Sequence, residues 1–199
     1  MEFNTSSLKN SMILSKQIIN KTGSLTMIIG PMYSGKTSSI LDLYRKYGFS
    51  KINTLVVNFE EDKRYDEEML SSHDLVKINA LNLKRLSKLF ETEYKNADIF
   101  LINEGQFFDD LQEVVKTLVE DMKKSVYIYG LDGDYRREKF GKILDLIPLC
   151  NKVKKLTALC NICRDGTKAY FTKRITNETS QKLIGNDNYI AVCRNCYNK

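Results

Sequence analysis

Four short runs along the chain are apolar at nearly every position and rich in β-branched or large side chains: "LTMII" (25–29), "TLVVNF" (54–59), "DIFLI" (98–102) and "VYIYG" (126–130). Runs of this length and kind fit strands buried on both faces, as in a parallel sheet. Between them the apolar positions switch to helical spacing. Ile40, Leu43, Tyr44 and Tyr47 form one stripe, Leu83, Leu86 and Phe90 a second, and Leu111, Val114, Val115, Leu118 and Met122 a third. Each stripe is about three turns long. Strand and helix in alternation predict an α/β sheet covered by helices on both faces. "DLVKI", Asp74 to Ile78, is a candidate further strand. The alternation stops near Leu149, so the chain divides into a leader (1–23), an α/β nucleotide-binding domain (24–150) and a small C-terminal module (151–199).

The leader has no clear periodicity, and its apolar block, "MIL" at Met12 to Leu14, is shorter than the roughly 7 to 15 residues of a secretory core. A cytoplasmic protein with a mobile leader is the expectation; the alternative is a short docking helix over Met12 to Ile19. With 42% hydrophobic and 28% charged residues the composition is that of a soluble chain, and no apolar run nears the ~20 residues of a membrane span. The net charge of +6 comes from 31 basic and 25 acidic residues that are interspersed, which gives no distinct nucleic-acid stripe. "KVKK", Lys152 to Lys155, fits a solvated strand edge blunted by lysines.

Five cysteines, Cys150, Cys160, Cys163, Cys193 and Cys196, lie in the last quarter, four of them as two CxxC pairs. In a reducing compartment that pattern favours a metal over a disulfide, with a redox CxxC as the rival; Cys150 is then a buried spare. Between Cys163 and Cys193 stand 29 residues, more than the roughly 15 to 20 of a compact zinc ribbon. The excess is polar, and long loops of that kind are commonly binding elements.

"GPMYSGKT" matches the phosphate-binding pattern GxxxxGK[ST] and sits after a strand and before a helix: Gly30, Pro31, Met32, Tyr33, Ser34, Gly35, Lys36, Thr37. The glycines let backbone N–H groups converge on phosphate oxygens, Lys36 bridges the outer phosphates, and the Thr37 hydroxyl is a ligand for Mg²⁺. The motif points to a nucleoside triphosphate such as ATP and is silent on the acceptor. A second acid at the tip of another buried strand is the usual complement, and "DIFLI" runs into "NEGQFFDD", Asn103 to Asp110. Glu104 there either takes a proton from water or an alcohol, or simply begins the next helix.

"GPMYSGKT", "NEGQFF", "LDGDYRREKFG" (131–141), "LTALCNIC", "AYFTKR" (169–174) and "NYIAVCRNCY" (188–197) follow the order found in type II thymidine kinases, the tetrameric, zinc-containing enzymes that include the cytosolic human and poxvirus proteins. The chain resembles that family from about Leu25 to Tyr197. The resemblance implies a RecA-like P-loop parallel sheet with helices on both faces, plus a C-terminal zinc-ribbon module carrying a lasso loop. It implies transfer of the γ-phosphate of ATP to the 5′-hydroxyl of thymidine, with Glu104 as base and Arg64, in "EDKRY", neutralising charge on the transferred group. It also implies a nucleoside slot of Met32, Phe107, Leu131, Tyr135, Phe140, Thr172 and Tyr189, read along the base edge by the main chain at Leu183, Ile184 and Gly185. Zinc on Cys160, Cys163, Cys193 and Cys196, a homotetramer, inhibition by thymidine triphosphate, and no nucleic-acid or membrane partner complete what it implies. On composition alone Met32 and Leu131 could be core, Tyr189 could pack on the zinc module, and His73 is expected to be structural.

Two positions depart from the family pattern. Asn103 stands where an Asp facing Mg²⁺ is usual, so the chain is either a slower kinase, a variant compensated by an acid such as Asp62, or a weakened one that binds without turnover. The stretch from Ile184 to Tyr189 is one residue tighter than usual. A reading of a different class, a nucleic-acid-stimulated ATPase with a zinc ribbon, uses the same motifs but lacks an aromatic-interleaved basic stripe.

Overall fold

A computed structural model describes residues 22–60, 69–71, 77–183, 185 and 187–199. The Met12–Ile19 segment, Asp62, Arg64, His73 and Ile184 lie outside those residues. Six strands form one sheet: β1 (Ser24–Ile29), β2 (Thr54–Phe59), β5 (Leu81–Leu83), β6 (Ile99–Ile102), β7 (Ser125–Gly130) and β8 (Lys152–Lys155), in the order β5-β2-β6-β7-β1-β8. Every neighbouring pair is parallel. A six-stranded parallel sheet in an α/β chain fits a RecA-like fold.

Successive residues of a strand point to opposite faces, and here both faces are apolar. Leu25, Met27, Val57, Phe59, Phe100, Ile102, Val126 and Ile128 share one side with Leu111, Val114, Val115 and Leu118. Those four come from α2 (Leu111–Lys116) and the π turn that continues it (Thr117–Asp121). Ile28, Val56, Ile99, Leu101 and Tyr129 share the other side with Ile40 and Leu41 of α1 (Lys36–Phe49). Burying each large apolar side chain is worth roughly 1.5–3 kcal/mol, so this two-sided sheet is where folding stability is concentrated.

Three expectations need correction. Leu83, Leu86 and Phe90 do not share a helix, because Leu81 and Leu83 alternate as the strand β5 while Leu86 and Phe90 fall in a 3₁₀ turn, Leu86–Glu91. That turn is begun by Asp110, whose carboxylate accepts the N–H groups of Leu86 and Ser87 at 3.0 and 2.9 Å. Of the candidate strand at Asp74–Ile78, residues 74–76 lie outside the described residues, and Lys77 and Ile78 belong to β4 (Lys77–Asn79), which pairs antiparallel with β3 (Met69–Ser71) rather than joining the main sheet. Cys150 is half-buried, with its thiol donating to the Ile147 carbonyl at 3.1 Å.

The lysine-bearing edge is in place. β8 is exposed at all four positions and lies beside β1, so the sheet continues past residue 150. Beyond it, β9 (Ala158–Leu159) pairs with β10 (Lys168–Ala169), and β11 (Phe171–Arg174) with β12 (Tyr189–Val192). A short helix, α3 (Arg194–Asn198), closes the chain. Among the described residues no helix is long and apolar enough to cross a membrane.

Candidate functional site

β1 ends at Ile29, and the backbone then turns through conformations that few side chains tolerate. Gly30 has φ 155°, and a Cβ there would lie 2.7 Å from the Leu156 carbonyl oxygen. Tyr33 and Gly35 follow in the left-handed region, at φ 61° and 81°. α1 begins at Lys36 with no acid in its first turn, so its amino end keeps its partial positive charge for an anion. The Lys36 ammonium is buried and donates to the carbonyls of Gly30 at 3.1 Å and Pro31 at 2.7 Å. Ser34 Oγ is buried with no protein partner, an orphan hydroxyl beside the amino end of α1. An anion with several oxygens fits that set. Thr37 is half-buried on the first turn of α1.

Glu104 stands past the end of β6, one strand away from β1 across β7. It is 7% exposed and left-handed, at φ 52°, a conformation that costs a non-glycine residue roughly 1–2 kcal/mol. It is the N-cap residue of the 3₁₀ turn Gly105–Phe107 that follows, but its side chain does not cap that turn. Instead it accepts the Gln106 amide N–H at 2.6 Å. Gln106 in turn accepts the Leu131 N–H at 3.0 Å, tying the carboxylate to the end of β7. The fit is close, since a Cβ on Gly130 would lie 2.4 Å from the Gln106 amide oxygen and one on Gly141 2.0 Å from its carbonyl. Asn103, also buried, donates to the Asn58 amide oxygen at 2.9 Å, and Asn58 donates to Asn82 at 3.2 Å. A row of amides thus runs across the tips of β6, β2 and β5.

Beside Glu104 lies an aromatic group. Phe107 packs on Phe59 at 5.2 Å between ring centres and edge-on against Phe140 at 5.3 Å. The Lys182 ammonium sits 4.5 Å from the centre of the Phe59 ring and 5.2 Å from that of Phe107. The cysteine module reaches back to the phosphate loop at two points. The Met32 N–H donates to the Thr172 hydroxyl at 3.0 Å, and the Tyr33 hydroxyl donates to the Tyr189 carbonyl at 3.3 Å. Tyr189 also donates through its own hydroxyl to the Leu183 carbonyl at 3.0 Å. Tyr135 stacks on the Arg174 guanidinium, 3.8 Å from ring centre to Cζ. Leu131 is half-buried and enters through its N–H, and Gly185 is left-handed at φ 143°.

The sulfurs of Cys160, Cys163, Cys193 and Cys196 all lie within 4.8 Å of one another. Cys163 Sγ is 3.8 Å from that of Cys193 and 3.5 Å from that of Cys196. A tetrahedral zinc site with bonds of ~2.3 Å needs sulfur–sulfur edges of about 3.8 Å, so the cluster fits that ion. Burial raises the Cys160 thiol, but the backbone N–H groups of Cys163, Cys193 and Ile162 more than reverse this and bring it down to about 6. The Cys163 thiol is held up by its bonds to the Cys196 and Cys160 sulfurs, and Cys196, though lowered by Cys163, is raised overall by burial and by Cys193 and Cys160, so a metal would have to displace their protons.

Gln106, Asp134, Arg174, Phe59 and Asn58 were not singled out from sequence. Gln106, Asp134 and Arg174 do sit inside the quoted blocks. Phe59 and Asn58 end a buried strand at the carboxyl edge of the sheet, where open α/β folds keep their crevice, and that position was the available signal.

A family profile described as thymidine kinase matches residues 23–197. The chain is 40% identical over 181 residues to a thymidine kinase of Oryza sativa subsp. japonica, covering 88% of this chain and 66% of that protein. It is 36% identical over 181 residues to the thymidine kinase of Yaba monkey tumor virus, covering 90% and 97%. With the thymidine kinase of Vaccinia virus (strain Western Reserve) it shares 37% over 176 residues, covering 88% and 97%.

Proposed function

The chain belongs to the thymidine kinase family, and we propose that it transfers the γ-phosphoryl group of ATP to the 5′-hydroxyl of thymidine, or of the smaller deoxyuridine. The observation that carries this reading is Glu104, a buried carboxylate fixed by Gln106 at the same edge of the sheet as the phosphate loop. Glu104 takes the hydroxyl proton while the sugar oxygen bonds to the γ-phosphorus. The bond from phosphorus to the β,γ-bridging oxygen breaks, and its electron pair leaves with ADP. Lys36 exchanges the carbonyls of Gly30 and Pro31 for phosphate oxygens, and the amino end of α1 adds N–H donors. Arg64 balances charge on the transferred group. Thr37 and Asn103 are the residues toward Mg²⁺, which neutralises phosphate oxygens when bound.

The base lies against Met32, Phe107, Leu131, Tyr135, Phe140, Thr172 and Tyr189, with the main chain of Leu183, Ile184 and Gly185 reading its edge as a lasso. Zinc on the four cysteines anchors both ends of that segment. A cytoplasmic homotetramer inhibited by thymidine triphosphate follows from the family reading.

Glu104→Gln tests the base. Turnover falls by roughly 10²–10⁴-fold, while calorimetry finds ATP and thymidine binding largely kept. Retained turnover would remove Glu104 from the role. A preference for another deoxynucleoside when all are offered would overturn thymidine as the acceptor.

A further inference from the structure

We propose that Arg174 is a positioning residue for nucleoside binding: its guanidinium, seated inside the turn at Glu178–Gln181, sets the path of the loop that leaves β11. The proposal rests on the reading of that loop as the nucleoside-binding segment.

Residues 175–182 are exposed, so burial of apolar side chains does not hold this stretch. Its carbonyls turn inward instead. Arg174, 8% exposed, donates to Glu178 O at 2.7 Å, Ser180 O at 2.6 Å and Gln181 O at 3.4 Å, and to the Tyr189 hydroxyl. The Tyr135 hydroxyl and Arg136 both donate to Thr179 O, at 2.9 and 2.6 Å. From outside, the Gln181 amide donates to the buried Asp134 carboxylate at 2.9 Å. Carbonyl dipoles thus answer a buried cation, and a planar fork with several donors serves diverging acceptors in a way that a single ammonium does not.

The consequence is specific to one substrate. Arg174 pairs with Tyr189 across β11 and β12, and Tyr189 holds Leu183 O, so a shift of the guanidinium moves the proposed base-reading segment. Lys36 and Glu104 hang from other strands, β1 and β6, and are held by their own bonds.

The test compares wild type with Arg174→Lys, each checked for zinc content and thermal midpoint. Losing two or three charge-assisted hydrogen bonds predicts a KM for thymidine raised at least about tenfold. The kcat and the KM for ATP stay within about threefold, since Lys36 and Glu104 keep their own bonds. The phosphate loop meets β11 and β12 through the Thr172 hydroxyl and the Tyr189 carbonyl rather than through the Tyr189 hydroxyl that Arg174 holds. Trypsin cleavage after Lys182, followed by mass spectrometry without substrate, speeds up at least about tenfold as the loop opens more often. Unchanged thymidine KM and unchanged cleavage would overturn the proposal, and so would kcat and both KM values worsening together. If Arg174→Lys does not fold, Tyr135→Leu removes the stacked ring and the bond to Thr179, and the cleavage rate alone decides: faster supports the proposal, unchanged overturns it. A wild-type chain that fails to phosphorylate thymidine defeats the kinase reading instead, while the cleavage comparison still judges the hold of Arg174 on the loop.

Discussion

The parallel sheet and the cysteine module reach order by different routes. In the sheet, strands such as Ile99–Ile102 are buried at every position, and helices cover both faces. In the module the core is Ala158, Ala169, Ala191, Val192 and cysteines, small side chains with little surface to hide. Phe171, Ile190 and Tyr197 pack against it only partly buried, and cations lie on several rings: Arg137 over Tyr197 at 4.1 Å, Arg194 over Phe171 at 4.8 Å, and Arg174 over Tyr135. The sheet can rest on apolar burial. The module, like other small folds, needs staples, and those it offers are four clustered cysteines that fit a metal and cations clasped by carbonyls.

Removing metal strains this contrast most. A chelator should strip β9 to β12 of hydrogen-exchange protection while β1, β2, β6 and β7 keep theirs, since a structural zinc is worth on the order of 10 kcal/mol. Loss of protection in both would mean that the two regions form one cooperative unit. Phe100→Ala is the converse. It should cost about 3–5 kcal/mol in a denaturant titration and leave zinc content unchanged.

The smallest effect sharpens the sheet side. Burial would raise the Asp110 carboxyl, but bonds from the Ser87 side chain and the N–H groups of Ser87 and Leu86 outweigh it and hold the group below its ordinary value. Because the folded value is depressed, the stabilisation is complete above the unfolded value and is lost as pH falls through the folded one. Asp110→Asn should therefore cost about 1 kcal/mol at neutral pH. Urea titrations should find the gap to wild type closing below about pH 4.

The same contrast explains what could be read in advance. Gly30 to Thr37 was legible because its chemistry is written in consecutive residues, and the buried strands because their apolar runs are unbroken. Leu81–Leu83 was missed because Leu83 also falls at helical spacing with Leu86 and Phe90, and a three-residue strand offers too few positions to decide. Lys152–Lys155 was recognisable as an edge, but not as the edge of this sheet. The proposed nucleoside slot rests on the resemblance, since residues as far apart as Phe107 and Phe140, whose rings do meet, carry no local sign of it. Gln106 and Arg174 were harder still. Their partners are backbone N–H and carbonyl groups, which every residue type supplies, so residue identity does not say where they aim.

Lys36, which grips the phosphate loop, is also the first residue of the rod whose Ile40 and Leu41 roof the thinner side of the sheet. Grip and roof are one rigid piece. A nucleotide seated at its tip, as the proposed kinase reading has it, would clamp that roof in place and make the nucleotide supply one of the forces keeping the fold shut.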